Sequence, residues 1–177
     1  ITYGNKPTDG GHFIFTESEK DDFLLREPNA KKFFRKFIGS RELINNTHRW
    51  CLWLKDAQPQ ELKKLPLTLA RIHKVKEMRL NSKKPATRKK AETPTLFDEI
   101  RHTDKPYLAI PEVSSENRNY LPIGYIKKDV ISSNKNYMLT DAGLFEFGII
   151  CSEMHMSWTN LVTGRLESRI QYSNGIV

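Results

Sequence analysis

Between Lys63 and Lys90 the chain carries eleven Lys or Arg residues and a single acid, Glu77. A segment charged this heavily cannot enter a core whole, because an unpaired buried cation costs far more than its aliphatic stem returns. It can fold only with one apolar stripe turned inward. Leu65, Leu69, Ile72 and Val75 supply that stripe at helical spacing. Pro66 fits the first turn of such a helix, which should run to about Ser82 and leave Arg71, Lys74, Lys76 and Arg79 largely off the stripe. Lys83 to Thr95 is polar, contains two prolines and reads as a loop, after which Leu96 to Ile100 adds one helical turn.

This concentration explains the whole charge. The chain carries a formal +8, yet outside Lys63–Lys90 it is slightly acidic. A localised basic surface on a protein points to an acidic partner, commonly nucleic acid. The solvated face of a helix accounts for the cations from Arg71 to Arg79. It suits the loop less well, where Lys83, Lys84, Arg88, Lys89 and Lys90 precede the first acid, Glu92. That loop is read as an arm on duplex phosphates. KKPATRKK also has the form of a nuclear-localisation signal, a match shared by many unrelated sequences.

Nine Phe and three Trp supply enough bulk for a folded core, which excludes a disordered chain. No apolar run approaches the roughly 20 residues of a membrane span, and no signal-peptide pattern opens the sequence. Cys51 and Cys151 lie far apart in apolar stretches, so they read as reduced core residues of a cytoplasmic protein. The opening Ile1-Thr2-Tyr3, without an initiator Met, is what a piece of a longer polypeptide would show.

The remaining elements predict an α+β fold with mixed helices and short, mostly antiparallel strands around a single core. A helix-rich part covers about 1–100 and a strand-plus-helix part about 101–177. His12 to Phe15 reads as a strand, and Thr16 caps a helix to about Arg26. Pro28 and Asn29 start a second helix over Ala30 to Phe37, ended by Gly39, with Ser40 capping a turn over Arg41 to Asn45. Arg49 to Leu54 is a buried strand, and Pro59 begins a short helix. Tyr107 to Ile110, Tyr120 to Ile126, Tyr137 to Leu139 and Ser168 to Tyr172 read as strands. Asp141 opens a long helical region to about Gly164, with Leu144, Phe147, Ile150, Met154, Trp158 and Leu161 as its buried face.

Catalytic motifs are missing: the sequence has no phosphate-binding glycine loop, no H-E-x-x-H and no G-x-S-x-G. The five histidines lack ligand spacing, and His155, among Met154, Met156 and Trp158, reads as a core residue with one nitrogen satisfied. Asp56 with Glu61-Leu62-Lys63 imitates a metal-dependent nuclease, although Glu61 at a helix start more simply complements the helix dipole. The polar segment Ser114 to Tyr120 (SSENRNY) lies between predicted strands and presents Glu116, Asn117, Arg118 and Asn119. These side-chain types read base edges. Arg165, Ser168 and Arg169 form a third polar cluster.

Several long strings occur in order: GNKPTDGG, GSRELINNTHRWCLWL, RLNSKKPATR, AETPTLF, PYLAIPEVSSENRNYLPIGY, FGIICSEMHMSW and GRLESRIQYSNGIV. Together they resemble the target-recognition domain of the MmeI-like (type IIL) restriction–modification enzymes over nearly the whole chain. The resemblance implies a domain that selects a site in double-stranded DNA. It would adjoin, on the same polypeptide, an S-adenosylmethionine-dependent adenine-N6 methyltransferase and a nuclease needing Mg²⁺. The methyltransferase's Asn-Pro-Pro-Tyr/Phe motif and glycine-rich cofactor loop are absent here, so the fragment itself is expected to hold no cofactor. By resemblance Glu116, Asn117, Arg118 and Asn119 face bases. Ser40, Arg41, Ser114, Ser115, Arg165 and Arg169 join the Lys83–Lys90 cations on the DNA backbone. An autonomous Mg-dependent nuclease and a basic protein-interaction module stand as alternatives.

Overall fold

The computed structural model describes residues 1–173 and 175, so Asn174, Ile176 and Val177 at the end of the last matched string lie outside the described residues. The chain begins with β1 (Thr2–Tyr3). At Gly4 a Cβ would fall 2.2 Å from the Ser133 carbonyl oxygen, so only glycine fits that approach. A turn through Gly10 and Gly11, both at positive φ, leads to β2 (Ile14–Phe15). Thr16 then caps α1 (Glu17–Arg26): its hydroxyl accepts the Glu19 N–H, and Glu19 returns a bond to the Thr16 N–H at 2.7 Å.

Pro28 opens a 3-10 turn, Pro28–Phe33, in place of the expected helix, and the chain straightens into β3 (Phe34–Ile38). Pairing with a neighbouring strand overrides the local pattern there. Phe34, Phe37 and Ile38 are buried while Lys36 stays exposed. After α2 (Ser40–Ile44), β4 (Arg49–Leu52) forms as expected. Both prolines mark helix starts, giving α3 (Pro59–Leu62) and α4 (Pro66–Leu80). The expected loop beyond α4 instead contains α5 (Pro85–Lys89) and a 3-10 turn, Lys90–Glu92. The segment from Leu96 makes no helix; Glu99 bridges Lys6 antiparallel.

The later strands are β5 (Tyr107–Pro111), β6 (Val113–Ser114), β7 (Gly124–Ile126), β8 (Val130–Ser132) and β9 (Asn136–Thr140). The long helix is two, α6 (Leu144–Ile150) and α7 (Glu153–Val162), because Ser152 caps a new start by accepting the His155 N–H at 3.1 Å. That break changes which face packs. Ile150, His155, Met156 and Thr159 are buried, whereas Leu144, Met154 and Leu161 are about four-fifths exposed and Trp158 is half exposed. The predicted buried stripe is therefore mostly a surface. A hairpin, β10 (Gly164–Leu166) and β11 (Arg169–Gln171), ends the described fold. The architecture is α+β, and no helix among the described residues is long and apolar enough to cross a membrane.

The chain divides into two compact units. One comprises Asn5–Phe37 and Arg49–Ile100; the other Ile1–Gly4, Ile38–His48 and Arg101–Val177. In the first, β4 pairs antiparallel with both β2 and β3, in the registers Ile14↔Cys51 and Phe34↔Leu52. Phe15, Phe23 and Phe34 meet edge to face with centroids 5.0–5.7 Å apart, and Phe97 contacts Phe13, Phe37 and Trp53. Helix α4 has no cap from its own flank. Buried Glu27 supplies one from forty residues away, accepting the N–H of Leu67 and of Thr68 and the Thr68 hydroxyl. In the second unit β1, β9, β5 and β7 form one antiparallel sheet, and β10, β11 and β6 another. Ile110, Tyr137, Ile150, Met156, Ile170 and Tyr172 pack together within that unit.

Two arginines expected on the solvated face of α4 are structural. Arg71 lies 4.0 Å from the Phe15 ring centroid and donates to the His12 carbonyl at 2.7 Å. Arg79 is fully buried. Its guanidinium donates to the carbonyls of Pro7, Thr8, Lys90, Thr93 and Leu96 at 2.7–3.1 Å. All five N–H donors of the group are thereby used. Arg79→Met should leave those carbonyls buried without donors and lower stability by about 3 kcal/mol or more. Arg79→Lys should recover little of this, since an ammonium has only three donors and no planar fork. Urea unfolding of the two variants checks both; a midpoint near wild type for either would contradict the role.

Candidate nucleic-acid interface

The basic segment is a folded platform whose cations fall into two groups. Arg88 turns back and donates to the carbonyls of Ser82 and Lys83 at 2.9 and 3.0 Å, tying the end of α4 to α5. Lys90 donates to the Asp98 carbonyl at 2.8 Å and stands 3.7 Å from the Asp98 carboxylate. Lys83, Lys84 and Lys89 are exposed, and among the described residues no ion pair or side-chain hydrogen bond holds them. Lys74 and Lys76 on α4 are also exposed. Sequence reading placed the five cations of Lys83–Lys90 on an equal footing; the fold leaves three of them uncommitted.

In the other unit, the SSENRNY segment and the third polar cluster come together. Strand β6 pairs antiparallel with β11, Ser114 opposite Ile170, which brings the β10–β11 turn beside the loop after β6. The Asn117 and Arg118 N–H groups bond back to the Ser115 hydroxyl and carbonyl, shaping a tight turn that leaves Glu116, Asn117, Arg118 and Asn119 exposed. The Ser168 hydroxyl donates to Glu116 Oε1 at 2.8 Å. Arg169 pairs with Glu167 at 2.8 Å, and Arg165 reaches the Asn160 side chain at 3.3 Å. The Glu116 backbone N–H and the Ser168 hydroxyl, with the charges of Arg165 and Arg169 nearby, hold the Glu116 carboxyl below the usual range. It is an ionised acceptor at neutral pH.

Two expected backbone contacts change. Ser114 is buried within β6, so its hydroxyl cannot reach a phosphate. Ser40 donates its hydroxyl to the Lys135 carbonyl. Ser115 is half-buried and Arg41 exposed. The E-x-K of the nuclease-like trio lies on a helix and its C-cap and not on a strand. Glu61 lies in α3, accepts the Gln58 N–H at 3.2 Å and pairs with Lys32, while Asp56 sits in the turn before that helix.

A family model described as the MmeI target recognition domain matches residues 1–177. The chain belongs to that family. Its backbone matches the solved type IIL restriction–modification enzyme MmeI, determined in complex with DNA, with a TM-score of 0.95. Identity is 52%, over 97% of this chain and 23% of that one. DNA methyltransferase A of Bacillus subtilis (strain 168) is 41% identical over 176 residues, 99% of this chain and 20% of the relative. This recognition-domain chain thus spans about a fifth of the length of the relatives it matches.

Within the family fold, His155 is a core residue, as its apolar neighbours predicted. Its Nε2 lies 3.1 Å from the Tyr172 hydroxyl, and both groups are buried. Burial lowers the imidazole pKa and pushes the Tyr172 phenol up to about 12, so the pair is neutral in the native state at pH 7. The sign of the resulting pH dependence is fixed. Above the unfolded value of about 6.5 the pairing contributes fully. As pH falls below it, the unfolded chain takes up the proton first and stability is lost until the native imidazole titrates as well. The melting temperature should therefore fall more for the native chain than for His155→Gln between about pH 7.5 and pH 5.5. Parallel falls in thermal scans would exclude the linkage.

Proposed function

We propose that this chain is the part of a bacterial restriction–modification methyltransferase that selects its site in double-stranded DNA. The observation that carries the reading is the near-complete backbone match, at 52% identity, to an enzyme solved in complex with DNA. Chemistry on the surface agrees with it. Glu116, Asn117, Arg118 and Asn119 offer, on one exposed turn, a carboxylate acceptor, a bidentate guanidinium and two amides. Those are the groups that distinguish base pairs in the major groove. Lys83, Lys84 and Lys89 are uncommitted cations suited to phosphates; exposed Arg41 and Arg165 and the half-buried Ser115 hydroxyl add donors of the same use.

The parent polypeptide is proposed to methylate adenine N6 in the cytoplasm with S-adenosylmethionine and to cleave DNA with Mg²⁺. The methyl donor and the pocket for the flipped base would then belong to the adjoining domain. No residue of this chain is assigned to either cofactor. Here the protein's own contribution is to hold the duplex and discriminate among sequences.

Competition binding by the full-length protein, on duplexes substituted one base pair at a time, separates the two kinds of contact. Arg118→Ala should cost about 1–3 kcal/mol at one base pair and little elsewhere. Lys89→Ala should weaken every duplex alike and reduce the salt slope of log K by about one. Equal losses on all duplexes for both variants would remove Arg118 from the base-reading set.

A further inference from the structure

Glu116 and Ser168 meet because of strand register. Ser114 of β6 stands opposite Ile170 of β11, both buried, and continuing that antiparallel alignment past the end of the ladder sets Glu116 opposite Ser168. Ser168 occupies the turn of the β10–β11 hairpin, between the paired residues Leu166 and Arg169. The turn is tightly specified. Glu167 takes a φ of +58°, unusual for a residue with a side chain, and its carboxylate is held by Arg169 at 2.8 Å. Ser168 then projects toward the loop after β6 and donates to Glu116 Oε1 at 2.8 Å.

A glutamate on an exposed turn is otherwise a poor reader of bases. Its side chain has several rotamers to lose on binding, and Arg165 and Arg169 both attract it. One fixed oxygen changes this. The carboxylate also faces its own backbone N–H, so with Oε1 held by the Ser168 hydroxyl its plane is set, and the remaining lone pairs are left to accept. They would take a hydrogen from an exocyclic amine, cytosine N4 or adenine N6, while a base edge offering only carbonyl acceptors would meet repulsion. Preorganisation of this kind improves discrimination without a new contact to the ligand.

We propose that Ser168 is a positioning residue for Glu116, so that discrimination at the base pair read by Glu116 depends on the β10–β11 turn. The inference rests on the reading of Glu116 as a base contact, and the experiment separates the two. Methylation rates of the full-length enzyme are measured on its site and on duplexes with each base pair replaced in turn. Glu116→Gln identifies the pair that Glu116 reads. Ser168→Ala should lower discrimination at that same pair by about five- to tenfold and leave the other positions unchanged. Ser168→Thr should restore it, and Ser168→Ala added to Glu116→Gln should have no further effect. Unaltered discrimination in Ser168→Ala, where Glu116→Gln loses it, would overturn the positioning role and leave Glu116 as a reader. A uniform loss on every duplex would also overturn it, by making Ser168 merely structural. If Glu116→Gln changes no preference, the base-reading assignment fails and the positioning role fails with it.

Discussion

The Arg79 guanidinium organises the basic unit. It draws the carbonyls of Pro7 and Thr8, and those of Lys90, Thr93 and Leu96, onto one side chain at the end of α4. Its burial lowers the pKa, against a background in which Asp98 and Asp9 favour the charge. Among the described residues no carboxylate bonds to it directly; the charge is stabilised by five carbonyl dipoles and by acids at longer range. Asp98 extends the arrangement by accepting the Thr8 hydroxyl and pairing with Lys6 and Lys90. The polar stretch beyond α4 buries little besides Ala91 and Phe97. Arg79 joins the Arg88, Lys90 and Phe97 contacts in ordering it, and the stretch becomes a surface on which Lys83, Lys84 and Lys89 hold defined positions.

That dependence shows where sequence reading succeeded and where it could not. Signals confined to a few neighbours were legible: Thr16 with Glu19 as a capping pair, Pro59 and Pro66 as helix starts, the apolar β4. Failures came where a distant partner decided the outcome. Phe33, Phe34 and Phe37 satisfy helical spacing, but strand pairing with β4 claims Phe34 and Phe37. Arg79 looks like any cation on an amphipathic helix, since nothing local reveals that five carbonyls converge on it. One failure was local: Ser152, capping the His155 N–H three residues on, rotates the packing face of α7 by starting the helix anew. The expected stripe of Met154, Trp158 and Leu161 then faces outward, while His155, Met156 and Thr159 face in.

The candidate interface divides along the same line. Its chemistry was visible in the sequence, because exposed Glu, Asn and Arg on a polar turn between strands need no tertiary partner to be recognised. Which charges are free was not visible. Arg88 and Lys90 have the same character in the sequence as Lys84 and Lys89; backbone carbonyls and the Asp98 carboxylate separate the committed pair from the uncommitted one. The link between Glu116 and Ser168 was likewise hidden, because it follows from pairing β6 with β11 rather than from either segment alone. Each segment is conspicuously polar in the sequence, yet its partner is set only by the register that joins them.

Strand periodicity gives that register a further consequence. In β11 the buried Ile170 lies between exposed Arg169 and Gln171, and β10 is exposed throughout. Stability in this sheet therefore rests on Ile170, with Tyr172 just beyond it, whereas the outward positions contribute little to the core. The same holds of the turn after β6, where Glu116 to Asn119 are exposed while Ser114 is buried. Side chains at 116, 118, 165 and 168 can change without removing apolar burial, so the surface is free to change its hydrogen-bonding pattern on an unchanged frame. Register sets the limit on that freedom. A slip of one residue between β6 and β11 would exchange the buried and exposed sets, and with them both the core contact of Ile170 and the meeting of Glu116 with Ser168.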